Sequence, residues 1–193
     1  MAGIALAGCG GPDNVYVAHA DAGVFVRLPA DWTVFTFADK DPTADPRTDP
    51  SAGTWRVVID GAVDADRAHI ESPSPTEPVG FVEILPTGLI EGGEQISNHA
   101  SLRSLLLGGS SDPLDAPGVD VVAYEEIDLG HHWGNRVVAE VRRDGDTVVM
   151  SQVAFLDDGS NRLQVMRVLC SADCYELHEA EITAVLDSWT LEG

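Results

Sequence analysis

Basic residues are scarce in this chain. Its 193 residues include 11 Lys plus Arg against 32 Asp plus Glu, a formal charge of −21 at pH 7. A surface of that sign repels phosphate backbones, which excludes nucleic acid as a natural partner. No stretch approaches the ~20 apolar residues of a membrane-spanning helix. The phosphate-loop pattern ending in Gly-Lys-Ser/Thr is missing, and so is Gly-x-Gly-x-x-Gly. Ser97, Ser101 and Ser104 have no Gly-x-Ser-x-Gly setting, so a hydrolase elbow is excluded. Cysteine is limited to three residues. What is present is a globular composition, 44% hydrophobic and 22% charged, which rules out a wholly disordered or collagen-like chain. At this length roughly 70% of the extended surface can be buried, enough for one domain with a core that needs no metal.

The first residues, MAGIALAGCG, run apolar and end in small side chains before Cys9. Leu6-Ala7-Gly8-Cys9 resembles the bacterial lipobox, in which the cysteine is lipidated and becomes the first mature residue. The usual basic start of such a signal is missing. The reading is a residual signal over 1–8, a tether over 9–22 and a single domain over 23–193, with Cys9 the lipidation site. A lipid on Cys9 leaves Cys170 and Cys174 as one pair, with three residues between them. Redox-active pairs favour two intervening residues. The expectation is therefore a structural disulfide closing a strand end onto a helix start. Its small loop limits its effect to roughly 2 kcal/mol.

Periodicity gives the elements. Val24–Leu28, Trp32–Phe37, Trp55–Ile59 and Gly80–Leu85 alternate and read as strands. Residues 39–52 and 60–78 are acidic and Pro-rich and read as loops. A helix starts at Ser97 as N-cap, carries Leu102, Leu105 and Leu106, and stops at Gly108-Gly109. Four strands follow as a meander: Val119–Ile127, Asn135–Arg142, Thr147–Leu156 and Arg162–Leu169. Asp144-Gly145 marks a tight hairpin. Val137, Ala139 and Val141 share one face, as do Val149, Val153 and Phe155. The last helix has Asp173 and Glu176 as its capping pair. Ile182, Val185, Leu186 and Trp189 form its docking stripe.

Candidate chemistry is thin. His131 and His132 lie in Gly130-His131-His132-Trp133-Gly134, but neighbours on a strand point to opposite faces and no His or Cys is spaced to help them bind metal. Asp60, Asp64, Asp66 and Glu71 fit part of a calcium-loop ruler. Ala62 and Ala65 break it, leaving at most a loose surface site. His99 and His178 sit beside apolar helical stripes and read as packed residues. No catalytic residue, metal or cofactor is assigned.

Leu28-Pro29-Ala30-Asp31-Trp32 resembles the opening of the PsbP-like fold, and Val185-Leu186-Asp187-Ser188-Trp189 resembles the close of its last helix. The resemblance covers roughly residues 20–193. It implies an α+β chain, an α/β/α sandwich around an antiparallel sheet with the C-terminal helix packed on that sheet. The fold occurs in a lumenal photosystem subunit, a Ran-binding import factor and LpqN-type actinobacterial lipoproteins. The lipobox and the Arg-over-Lys usage resemble the last group. The scaffold is shared without a shared site, so no functional residue carries over. The expected function is a non-catalytic envelope lipoprotein, anchored on the extracytoplasmic face by lipid only. It would bind an envelope protein or a small apolar ligand. The alternatives are an extracellular metal-assisted enzyme using His131 or His132, and a cytosolic binding module.

Overall fold

The computed structural model describes residues 14–20, 23–36, 54–87, 96–143 and 145–191. Cys9, Asp144 and the acidic residues 39–49 lie outside the described residues. Two antiparallel sheets form. The small one orders β1 (Asn14–His19), β2 (Val24–Pro29) and β10 (Thr190–Leu191). The large one runs β3 (Thr33–Thr36), β4 (Trp55–Asp60), β5 (Val79–Pro86), β9 (Arg162–Ser171), β8 (Asp146–Asp157), β7 (His132–Arg143), β6 (Val119–Asp128). Strands β6 to β9 are the meander that the alternating pattern predicts. Gly145, at φ 98°, supplies the left-handed residue of the β7–β8 turn. β9 then pairs with β5, which joins the two halves of the chain into one sheet.

Alternation decides what each face carries. One face holds Val57 and Ile59 of β4, Val82 and Ile84 of β5, Val153 and Phe155 of β8, and Met166 and Val168 of β9, all buried. Helix α3 (Ala172–Asp187) and the small sheet cover it, with Ile182, Val185 and Leu186 buried and Trp189 packed beside them. Each such side chain fully withdrawn from water contributes about 1.5–3 kcal/mol. The opposite face carries Val137, Ala139 and Val141 of β7, Ala154 and Leu156 of β8, and Leu163 and Val165 of β9. It is covered by α2 (His99–Ser104) and its continuing single 3-10 turn, Leu105–Leu107, through Leu102 and Leu106. The result is a sheet with a helix on each side, the α+β sandwich the resemblance implies.

Four local expectations change. Asn14–His19, inside the stretch read as tether, is strand β1. Val15-Tyr16-Val17 is β-rich enough to pair with β2. Asn98, not Ser97, caps α2: its side chain accepts from the Ser101 amide at 2.8 Å, while the Ser101 hydroxyl accepts from the Asn98 amide at 3.2 Å. Ser171, not Asp173, caps α3 by accepting from the Cys174 amide. Within 60–78, Arg67–Ile70 forms one helical turn, α1, capped by Asp66.

The Leu-Pro-x-x-Trp segment is a turn in which the Trp32 amide donates to the Pro29 carbonyl at 3.2 Å. It delivers Trp32 into the core. The Cys170 and Cys174 sulfurs face each other at the junction of β9 and α3, with Cα atoms 5.8 Å apart. On the α2 side, Arg103 grips Asp112 with two bonds, 2.8 Å from Nε and 2.5 Å from Nη2. Its guanidinium lies 4.5 Å above the Tyr124 ring centre. This two-pronged contact holds the Asp112 carboxyl below the usual range and the Arg103 pKa above its own. It fastens α2 and the following loop to β6.

Candidate functional site

Helix α3 packs on β8, β9 and β2, so the β6–β7 part of that sheet face is left uncovered by it. A groove runs between the two. Its wider compartment, about 520 Å³, has Val138 and Ala123 from the sheet and Tyr175, Glu179 and Thr183 from α3. A narrower compartment of about 290 Å³ continues toward Ile127, Phe155, Leu186 and Trp189. Glu125 and Arg136 border both. These volumes fall in or near the range of ligand-binding clefts.

Local chain geometry explains the lining. The β6–β7 register shifts at Val121/Ala123. That bulge puts one extra residue into β6, so Ala123, Glu125 and Ile127 face the groove opposite Val138, Arg136 and Gly134. Arg136 then stands between two acids: Glu125 is its cross-strand neighbour and Asp187, near the end of α3, is its ion-pair partner. The Arg136–Asp187 pair crosses from sheet to helix and separates the two compartments. With Arg136 engaged, the charge left on the walls is negative, from Glu125 and Glu179.

The inner end of the groove is apolar with unused polar capacity. Trp189 packs on Phe155 with ring centres 6.4 Å apart, and its buried indole N–H finds no acceptor among the described residues. Buried polar atoms are paired in the great majority of cases.

The histidines do not assemble into a centre. His131 sits in the turn between β6 and β7, 80% exposed, with Nδ1 3.0 Å from an Asp158 oxygen. His132 is the first residue of β7, opposite Asp157. His99 lies edge-on to Trp133 at 5.1 Å between centres. His178 lies between Glu77 and Glu181, with nitrogen to oxygen distances of 3.6 and 3.1 Å. Among the described residues no group of three or more His, Cys, Asp or Glu is placed to hold a metal ion. Two of the calcium-ruler residues, Asp60 and Asp66, accept from backbone amides. Asp60, fully buried, accepts from the Ala62 amide at 2.9 Å and the Asp66 amide at 3.1 Å, and lies 3.3 Å from His69 Nδ1. Asp66 is the α1 cap. Ser97 precedes the α2 cap, Ser101 lies in the first turn and Ser104 is the last residue; Ser101 and Ser104 donate to the Asn98 and Ser101 carbonyls.

The residues that matter in the groove, Ala123, Glu125, Arg136, Val138 and Asp187, were not singled out as a site by the sequence. Two come from β6, two from β7 and one from α3, and the bulge that aligns them has no signature in the pattern. The one available signal is Trp189, flanking the close of α3.

No protein-family model matches the chain, and no curated protein matches it. Solved structures do. A cyanobacterial PsbP (CyanoP) from Synechocystis sp. PCC 6803 superposes with a TM-score of 0.54 at 11% identity, covering 96% of both chains. LpqN of Mycobacterium tuberculosis, described as involved in cell envelope biogenesis, superposes with a TM-score of 0.51 at 13% identity, over 93% of this chain and 91% of that one. The element order, the antiparallel sheet between α2 and α3, and these two end-to-end superpositions establish that the chain has the PsbP-like fold.

Proposed function

We propose that the chain is a non-catalytic binding module of the cell envelope, which takes its partner in the groove between α3 and the β6–β7 edge. The observation that carries this reading is the groove itself: an apolar floor, acidic walls, and at its inner end the Trp189 indole N–H with no partner among the described residues. The likeness to LpqN, described as involved in cell envelope biogenesis, supports an envelope setting. The lipobox resemblance at Cys9 supports a lipid tether. A body of charge −21 would stand off an anionic bilayer, within a screening length of about 8 Å at physiological salt. Thr183→Trp tests the groove, because a tryptophan there fills the wider compartment from the helix side. Captured from envelope extract, the partner should bind the variant about tenfold less than the wild type, a difference of about 1.4 kcal/mol. Equal capture by the two proteins contradicts the groove assignment.

The anchor has its own test. Intact mass of the protein made in its own cells should show Cys9 as the acylated first residue. A mature chain with an unmodified Cys9 removes the lipid anchor from the account and leaves the groove untouched.

A further inference from the structure

We propose that the occupant of this site is an extended, basic segment of a partner protein, added as an eighth strand to the free edge of β6. The proposal names the partner of the groove and so rests on the reading above. β6 is the last strand of the seven-stranded sheet, paired with β7 on one side and with no described strand on the other. Two hydrogen bonds fix which of its backbone groups are free. The Arg142 amide donates to the Gly118 carbonyl, and the Leu129 amide donates to the His132 carbonyl, both at 2.8 Å. Hydrogen-bonded pairs alternate along an antiparallel ladder. Counting from Leu129, the backbones of Ile127, Glu125 and Ala123 turn toward β7, and those of Asp128, Glu126 and Tyr124 turn outward. Beyond the bulge the segment Tyr124–Asp128 therefore offers three N–H and three C=O groups in line, enough to template an incoming strand.

Charge selects the occupant. β6 carries Asp120, Glu125, Glu126 and Asp128, and Glu179 of α3 faces the groove beside it. Residues of an added strand stand directly opposite these side chains, where opposite charges stabilise and like charges repel. A second copy of this chain would bring the same carboxylates and another −21, so self-pairing is disfavoured. A strand alternating Lys or Arg with apolar residues can turn its basic side chains to the groove side, where they meet Glu125 and Glu179, and its apolar side chains to the other side of the sheet.

The probe is a blocked ten-residue peptide of alternating lysine and valine, titrated into the full chain by calorimetry at low salt. Two N-methylated forms accompany it, one methylated at the lysine nitrogens and one at the valine nitrogens. An added strand donates through one set only. The expected result is that one methylated form binds about tenfold more weakly than the parent while the other keeps its affinity, since several backbone bonds are lost in one case and none in the other. Glu126→Pro removes an outward N–H and spares the ladder to β7. It should weaken the parent peptide well beyond the effect of Glu126→Gln, which removes the charge alone. The methylated pair reads the same point on the wild-type protein, should the proline variant not fold. Equal binding of the two methylated forms, or no binding of the parent, overturns the proposal. So does a dimer in sedimentation that Glu126→Pro dissolves, which makes a second copy the occupant. If Thr183→Trp lowers envelope capture while the peptide does not bind, the groove stands and the basic strand falls. If neither effect appears, both readings fall.

Discussion

Arg167→Met should lower the unfolding free energy by about 3 kcal/mol at pH 7, the larger part of it from polar groups left without a partner. Arg167 reaches up from β9 beneath α2. Its guanidinium donates to Gln152 Oε1 at 3.2 and 2.7 Å and to the Leu105 carbonyl. It also stacks on the Phe81 ring at 5.1 Å, with Arg56 on the same ring at 4.9 Å. Desolvation pulls its pKa down to about 10, which leaves it charged at neutral pH. Methionine matches the stem but donates nothing. Gln152, fully buried and with an amide nitrogen that has no partner among the described residues, would lose its acceptor contact as well. Glu83 adds a pH dependence. Burial raises its pKa above the usual 4.5, against the pull of Arg56 and Arg167. A carboxyl raised in the folded state gives stability that is fully present below 4.5 and is lost as pH rises through the folded value. Removing Arg167 raises that value further, so the penalty of the variant should be greater at pH 7 than at pH 4. Urea unfolding at the two values measures it. A loss below about 1 kcal/mol at pH 7, or a greater loss at pH 4, contradicts the assignment.

Gly134→Ala should cost about 3 kcal/mol, at the upper end of what forcing atoms into a packed region does. Gly134 lies in β7 opposite Phe155. A Cβ there would stand 2.2 Å from the Ala154 carbonyl oxygen and 2.4 Å from the Phe155 ring. Phe155 cannot swing away freely, because it is buried and packed on Trp189. Backbone must move instead, and the movement falls at the inner end of the groove. Thermal unfolding followed by tryptophan fluorescence reads both effects, since Trp189 reports the groove. A variant within about 1 kcal/mol of the wild type shows that β7 and β8 yield there at little cost.

Much of this fold is legible in the residues. The faces Val137/Ala139/Val141 and Val149/Val153/Phe155 are assigned by alternation alone, because successive side chains of a strand point to opposite sides, here toward α2 and toward α3. The α3 stripe is legible for the same reason at helical spacing, and the Pro-x-x-Trp turn adds a specific mark. The missed elements are those where local signals compete. β1 carries the β-rich Val15-Tyr16-Val17 but is short and set in a Gly/Pro/Asp-bearing stretch, and its pairing with β2 is a contact that no local pattern announces. At the two helix starts, adjacent polar residues all qualify as caps, and the backbone chooses Asn98 and Ser171. Asp60 looks like a ligand in the string of letters and is an organiser of its own turn in space. The groove is hidden for a further reason: its walls come from β6, β7 and α3, and no single period joins residues of three elements.

The central claim is that this face of the molecule, between α3 and β6, is where the partner sits. A photo-crosslinking side chain at Thr183, inside the groove, compared with one at Val63, which is 98% exposed beside α1, tests it directly in the cells that make the protein. The account predicts a discrete adduct from position 183 and none from position 63. An adduct from position 63 with none from position 183 would contradict it.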